Sequence, residues 1–321
     1  MRETKTGEVL RPTSHEVARD LSAAASWNGS TDPRKNRGVI TTDEHDTSSA
    51  CCQRDAGRSK EYVYVCALFC ETTESHNMAR VDDLKFAAQT DKGNSREKNE
   101  DAFCVHERLR FIAVADGVGG EPAGEIASHL AIEQIEGYVT SHIGERTPPS
   151  TLEDAVTLAN DVIYQQGRED RTLAGMSTTV VACLLTNERV FAAHVGDSRG
   201  YLITPSEITH LTRNHSLVAE LVASGRITSE EAREHPYRHV ITRALGIEAR
   251  TNVELGSFSW NQGDYVLLCT DGLTDAIVDQ TIYAVISDKA RALQSKCARL
   301  IELARGRGGL DNITVLLAEQ T

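Results

Sequence analysis

The chain has 321 residues, enough for one large domain or two ordinary ones, and its balance of hydrophobic and charged side chains is that of a globular protein. Acidic side chains outnumber basic ones 47 to 34, for a formal net charge of −13, which argues against a general nucleic-acid or anionic-membrane surface and mildly favours cations as ligands. No stretch approaches the roughly 18 consecutive apolar residues of a membrane span, and the amino terminus lacks a basic region followed by an apolar core, so secretion by the standard route is not expected.

Residues 1–77 are rich in Ser, Thr, Asp, Arg and Asn without a sustained period of 2 or 3.6, which predicts a disordered or non-native extension. Its exception is the β-prone run "EYVYVCALFC" at 61–70. Globular patterning starts near Met78 and defines a predicted domain over 78–321. Short apolar runs then predict strands at "AFCVHE", "FIAVAD", "TVVACLL", "RVFAAHVGD", "YLIT", "YVLLCTD" and "ITVLLAE". Helical spacing predicts helices over 123–139, from Leu152 through Ile163, and from Leu293 through Ala304. The link "GDSRG" is too short for a crossover helix, so its two strands are expected to form an antiparallel pair. This order of elements points to antiparallel sheet layers covered by helices, an α+β architecture. Of the eight cysteines, Cys104, Cys183, Cys269 and Cys297 sit in apolar runs and no zinc-like CxxC pairing occurs. A reducing, cytoplasmic compartment is expected.

Acidic residues recur at strand ends. Asp116 closes "FIAVA" and Asp271 closes "YVLLCT", whereas Glu100 and Asp101 precede "AFCV" and Asp311 with Asn312 precedes "ITVLLA". In antiparallel packing the end of one strand lies beside the start of its neighbour, so these sites can share one rim. Unit charges a few ångströms apart repel by several kcal/mol even at an effective dielectric of about 20. Divalent cations would compensate, and an all-oxygen ligand set favours Mg²⁺ or Mn²⁺. After Asp116, Gly117 can turn its carbonyl onto a metal, and Gly119 and Gly120 allow close passage of the backbone. The competing reading is that each Asp merely forms a turn or a helix cap.

The series "RxxNED" (96–101), "ADGVGG" (115–120), "GMSTT" (175–179), "VGDSRGYL" (195–202), "LTRNHS" (211–216), "ITRALG" (241–246), "TDGLTD" (270–275) and "DNITVLL" (311–317) resembles the PP2C-type metal-dependent serine/threonine protein phosphatases, in particular their bacterial members. The resemblance covers about 84–318 and implies two packed antiparallel β-sheets flanked by helices. It also implies a two-metal site in which Asp116 bridges two Mn²⁺ or Mg²⁺ ions, Gly117 offers its carbonyl, and Asp271 and Asp311 bind the other metal. Glu100 and Asp101 would act through water, and Arg96 would grip the substrate phosphate. The implied reaction is attack of a metal-activated water on phosphoserine or phosphothreonine in proteins, with a serine/threonine kinase as the partner to expect.

Some positions depart from that pattern. Val118 and Ser177 replace a methionine and a glycine common in relatives, and Val118 cannot act as the histidine general acid that some carry. Leu173 and Ala174 stand where an acidic residue helps to hold a third ion, which leaves that ion without its carboxylate there. "GDSR" reads first as turn chemistry, with Ser198 a poor nucleophile candidate. The stretch 220–239 resembles the family's flap and reads equally as a solvated helical hairpin. His194, His215, His235 and His239 read first as surface or core histidines rather than ligands, with contact to substrate the second reading for His215 and His239. Two alternatives stay open: a catalytically silent phosphoprotein-binding module of the same fold, and a two-metal hydrolase of another phosphoester. The intact ligand set weighs against the first, and the acidic balance and missing GxxxxGK[ST] loop against the second.

Overall fold

The computed structural model describes residues 84–118 and 123–321. The predicted extension over 1–77, with its apolar run, and the glycines 119 and 120 lie outside these residues. The chain opens with β1 (Leu84–Asp91), β2 (Asp101–His106) and β3 (Phe111–Val118), then two long helices, α1 (Ala123–His142) and α2 (Pro148–Glu169). There follow β4 (Ser177–Thr178), β5 (Val180–Leu185), β6 (Arg189–Val195), β7 (Arg199–Ile203) and β8 (Ile208–His210). The short helices α3 (Leu217–Ala223) and α4 (Ser229–Glu234) precede β9 (Glu254–Ser259) and β10 (Tyr265–Cys269). The last elements are α5 (Asp271–Thr274), α6 (Asp279–Ile286), α7 (Leu293–Gly306) and β11 (Ile313–Gln320).

Two antiparallel sheets result. One has the strand order β1-β11-β10-β7-β8; the other runs β2-β3-β5-β6-β9, with β4 paired to the end of β3. Alternate residues of the central strands enter different layers. In β3, Phe111, Ala113 and Ala115 meet the helices, whereas Ile112 and Val114 join the layer between the sheets. In β10, Tyr265, Leu267 and Cys269 face outward to helix and Val266 and Leu268 face inward. A strand buried on both faces reads as a continuous apolar run, which is why these strands were visible without alternation. Helices α1 and α2 cover the second sheet through Ala127, Ile135, Leu152 and Ile163. Helices α6 and α7 cover the first through Ile282, Ile286, Cys297 and Leu300. The outcome is a helix-sheet-sheet-helix stack of four layers, the predicted fold class.

One expectation fails. "GDSRG" does not join a hairpin, because β6 belongs to the second sheet and β7 to the first. Residues 196–198 carry the chain across the sandwich instead. Packed sheets lie about 10 Å apart, a span that three extended residues can bridge. The two-residue β4 was not predicted, nor were strands β1, β8 and β9. The last three are edge strands, and β9 alternates partly buried with exposed positions around Gly256, so it lacks an apolar run. The stretch around 217–234 forms a helical hairpin of α3 and α4, with a reciprocal capping box between Thr228 and Glu231.

Among the described residues Trp260 is the largest fully buried side chain. It packs between the sheets at the end opposite Asp116 and donates Nε1–H to the Thr186 carbonyl at 2.9 Å. Trp260→Ala is expected to destabilise the full-length chain by about 3–5 kcal/mol, measured by urea unfolding followed by far-UV circular dichroism. The binding of divalent cations at the distant rim should be unaffected at denaturant concentrations where the variant stays folded.

Candidate active site

The inward faces of the central strands end in polar residues at one rim. Following Ile112 and Val114, Asp116 points into the intersheet layer where it opens, and its register partner across β2 is Asp101. From the facing sheet, Thr270 and Thr314 both donate to Asp101 Oδ2, at 3.0 and 2.6 Å. This carboxylate is therefore pinned between the sheets. Asp271 begins α5 directly after β10, and Asp311 precedes β11 by two positions. Glu100, Asp116, Gly117, Asp271 and Asp311 line a single cavity of about 510 Å³ with Arg96. Asp101 sits just beneath it, buried against the threonines.

Both Asp-Gly pairs owe their glycine to close backbone approach. A Cβ on Gly117 would lie 2.3 Å from the Gly124 carbonyl oxygen, and one on Gly272 would lie 2.0 Å from the Asn312 carbonyl oxygen. Asn312 does more than flank Asp311. Its Oδ1 accepts from the Glu100 amide at 2.8 Å, and its Nδ2 donates to the carbonyls of Lys92 and Lys98 at 3.0 and 2.9 Å. This single side chain clasps the 92–100 loop onto the start of β11 and so places Arg96 at the rim. There the half-exposed Arg96 guanidinium bonds Asp311 Oδ2 at 2.7 Å.

The electrostatics are those of an unneutralised acidic cluster. Burial, then repulsion from Asp101, Asp271, Asp197 and Asp311, holds the Asp116 carboxyl well above the usual range. Asp271 is raised in the same way, by burial and then by Asp197, Asp275 and others. Burial pushes Asp101 up to about 7 despite its two threonine donors. Asp101 Oδ1 and Asp271 Oδ1 are buried carboxylate oxygens that lack a hydrogen-bond partner among the described residues. Orphaned carboxylate oxygens among other carboxylates, with only oxygen donors from the predicted set, fit hard divalent cations such as Mg²⁺ and Mn²⁺. The predicted ligand set therefore meets at one place, and its chemistry suits the metals expected of it.

Three features depart from the sequence reading. Asp197 of "GDSR" is buried yet lines the cavity, with its carboxyl pushed up to about 6 by burial and by Asp275. Ser198 bonds Thr179 Oγ1 at 2.7 Å inside the protein, a structural role. Asp275, quoted in "TDGLTD" without a role, also lines the cavity and pairs with His239 at 3.1 Å. A signal was present for Asp275, which stands four residues after the marked Asp271, but Asp197 lay in a link read as a turn. His239 lines the cavity, whereas His215 is the core histidine of the first reading. His215 is buried, stacks on His194, accepts from the Gly196 amide at 3.1 Å and bonds Glu254 at 3.0 Å. It acts as a strut beneath the 196–198 crossing, because its ring lies on the inner side of the insert's first turn.

The family model described as Protein phosphatase 2C matches residues 90–306. The serine/threonine protein phosphatase PstP of Mycobacterium tuberculosis is 40% identical over 241 residues, 74% of this chain and 45% of that protein, so the match spans less than half of that relative's length. The serine/threonine phosphatase stp of Listeria innocua is 36% identical over 238 residues, 72% of this chain and 94% of the relative. Among solved structures, the catalytic domain of PstP in complex with two manganese ions aligns with a TM-score of 0.67 and 38% identity, covering 74% of this chain and 98% of that one.

The raised carboxyls set a direction for pH. Protons held in the folded state but released by the unfolded chain stabilise the fold at low pH, and that contribution fades as pH rises from about 4 through about 7 for Asp101. Without metal, the melting temperature is expected to fall between about pH 5.5 and pH 8, and the gain on adding Mn²⁺ should grow over the same interval. Asp116→Asn should raise the metal-free melting temperature at pH 8 while removing most of the Mn²⁺ gain. A variant that melts lower without metal yet keeps the full Mn²⁺ shift would show that repulsion at Asp116 is not what the metal relieves.

Proposed function

Because the chain belongs to the protein phosphatase 2C family, we propose that it is a metal-dependent phosphatase acting on phosphoserine and phosphothreonine in proteins. The observation that carries this is the meeting, at one cavity, of Asp116, Asp271 and Asp311 with an arginine suited to phosphate and with orphaned carboxylate oxygens. Asp116, the Gly117 carbonyl, Asp271 and Asp311 would hold two Mn²⁺ or Mg²⁺ ions, with Glu100 and Asp101 acting through water. Bound there, the ions supply Lewis acidity toward the phosphoryl oxygens and an acidified water as nucleophile.

The remaining work falls to the chain. Arg96 offers the rest of its planar fork to phosphoryl oxygens, a geometry that lysine lacks. Asp101, fixed by Thr270 and Thr314, keeps one oxygen free toward the cluster. Asn312 keeps the Arg96 loop in register with Asp311, so phosphate binding and metal binding are positioned by one side chain. Val118, at the cavity wall, has no proton to give a leaving group.

A serine/threonine kinase, or proteins that such a kinase modifies, is the partner this chemistry calls for. The cytoplasm is the compartment we assign. Supporting it, Cys104, Cys183, Cys269 and Cys297 are buried free thiols, and among the described residues no helix is long and apolar enough to cross a membrane.

The test is phosphate release from a phosphothreonine peptide by the full chain with Mn²⁺. Activity should vanish with chelator, fall at least about 10³-fold in kcat for Asp116→Ala, and fall about 10²-fold in kcat/KM for Arg96→Ala. Mn²⁺ binding by calorimetry without any phosphate release would instead favour the silent binding module.

A further inference from the structure

Val118 and Ile241 line the catalytic cavity on one side and, on the other, a second depression of about 470 Å³. Its walls include Ser177, Arg243, Ile247 and Arg250. The two hollows thus share a wall, and a chain leaving the first over Val118 or Ile241 enters the second.

Two properties distinguish this groove from the cavity beside it. It presents apolar surface to solvent, since Ile247 is 56% exposed beside the half-buried Ile241. Its charge is also opposite in sign. The metal cavity concentrates aspartates, whereas the groove's charged lining is Arg243, Arg250 and Glu248. Among the described residues neither Arg243 nor Arg250 has a carboxylate partner, and Arg243 Nη1 only approaches His215 Nε2, at 3.5 Å. Both arginines are exposed, so their guanidinium groups are open to a carboxylate from outside the chain.

We propose that this groove binds the polypeptide segment flanking the phosphorylated residue and selects segments that carry an apolar side chain together with carboxylates. The inference rests on the phosphatase reading above and gives its substrate class. Ile247 and Ile241 take the apolar side chain, and the forks of Arg243 and Arg250 take the carboxylates. Charge complementarity favours this occupant: a carboxylate close to the phosphoresidue would be repelled by the acidic rim, and the arginines place its counter-charge one step aside.

The experiment uses the full chain with Mn²⁺ and matched phosphothreonine peptides. One pair carries Ile and Glu on the amino-terminal or the carboxy-terminal side of the phosphoresidue, and a second pair carries Ser and Lys there. p-Nitrophenyl phosphate reports the chemistry without the groove. One of the Ile/Glu peptides is expected to exceed its Ser/Lys counterpart about tenfold in kcat/KM. Arg250→Glu should erase or invert that ratio, and Ile247→Ser should reduce it, with hydrolysis of p-nitrophenyl phosphate within about twofold of the parent. A gain on the lysine peptide by Arg250→Glu is a response that a merely structural residue would not give. If p-nitrophenyl phosphate is hydrolysed but the peptides are used equally, or if Arg250→Glu leaves their ratio unchanged, the groove assignment is wrong and the phosphatase reading stands. If no substrate is hydrolysed, both fall. If sedimentation shows a dimer that Ile247→Ser dissolves while the peptide ratio stays put, the groove is an interface between copies and the proposal is overturned.

Discussion

Mutual repulsion among the rim carboxylates is the constraint on which the rest of this structure turns. Two unit charges about 4 Å apart cost about 4 kcal/mol at an effective dielectric of 20, and Asp116 is raised by four other aspartates as well as by burial. A fold can hold such groups together only if something else fixes the strands that carry them. Here that is done by the apolar layer between the sheets, with Ile112, Val114, Val266, Leu268 and Leu316 packed beneath the rim, and by threonines from one sheet gripping Asp101 of the other. The hydrophobic contacts are formed far from the charges and need no metal. The cluster is thus an electrostatically strained edge on a core that is stable by other means, and a bound divalent cation relieves the strain without having to build the fold.

Much of this was legible in the sequence, for a physical reason. Strands buried on both faces leave continuous apolar runs, and a carboxylate at the end of such a run has nowhere to go but the rim. Asp116 and Asp271 were readable on that ground, and Glu100, Asp101 and Asp311 by the complementary position before a run. What could not be read was anything that depends on which sheet a strand joins. The 196–198 link looks like a hairpin turn in sequence, yet it crosses the sandwich, and only that crossing sets Asp197 on the cavity. The edge strands β1, β8 and β9 were hidden because they bury little, whereas β2, also an edge, buries enough of its face to leave a readable apolar run. Asn312 was seen as the neighbour of a ligand. Its real part, clasping a loop more than two hundred residues away in sequence, is a long-range contact without a local signature.

The histidines make the same point from the other side. His215 and His239 have the same residue type and lie in the same insert, but the structure sends them in opposite directions. His239 is exposed and paired with Asp275 at the cavity. His215 is buried, its ring kept neutral by burial, and accepts the Gly196 amide proton at Nδ1. That assignment puts its other ring proton on Nε2, toward Glu254. The cluster of His194, His215 and Glu254, whose ligand atoms lie within 4.8 Å of one another, therefore resembles a metal site only in composition. His215 Nε2 could coordinate a cation only by giving up the proton it donates to Glu254, while its Nδ1 lone pair is already engaged.

The site thus separates two electrostatic tasks that would conflict in one place. Holding divalent cations calls for a dense acidic rim, and such a rim is a poor surface for phosphoproteins, whose phosphoryl groups and acidic flanks it repels in proportion to any charge left unneutralised. Arginines answer this at graded distances. Arg96 stands within the cavity, bonded to Asp311, where on the proposed function it would meet the phosphoryl group itself. Arg238 and Arg307 line the same cavity, and Arg243 and Arg250 lie beyond Val118 and Ile241. An approaching substrate meets positive charge on more than one side of the acidic centre, and at close range the field is dominated by what the aspartates hold. Because field strength falls with distance and with salt screening over about 10 Å, the outer arginines would, on the proposed reading, act on the segment beside the phosphoresidue more than on the phosphoryl group. On that reading, selectivity would then rest on an exposed groove and chemistry on the carboxylate cluster beside it, two separate sets of residues.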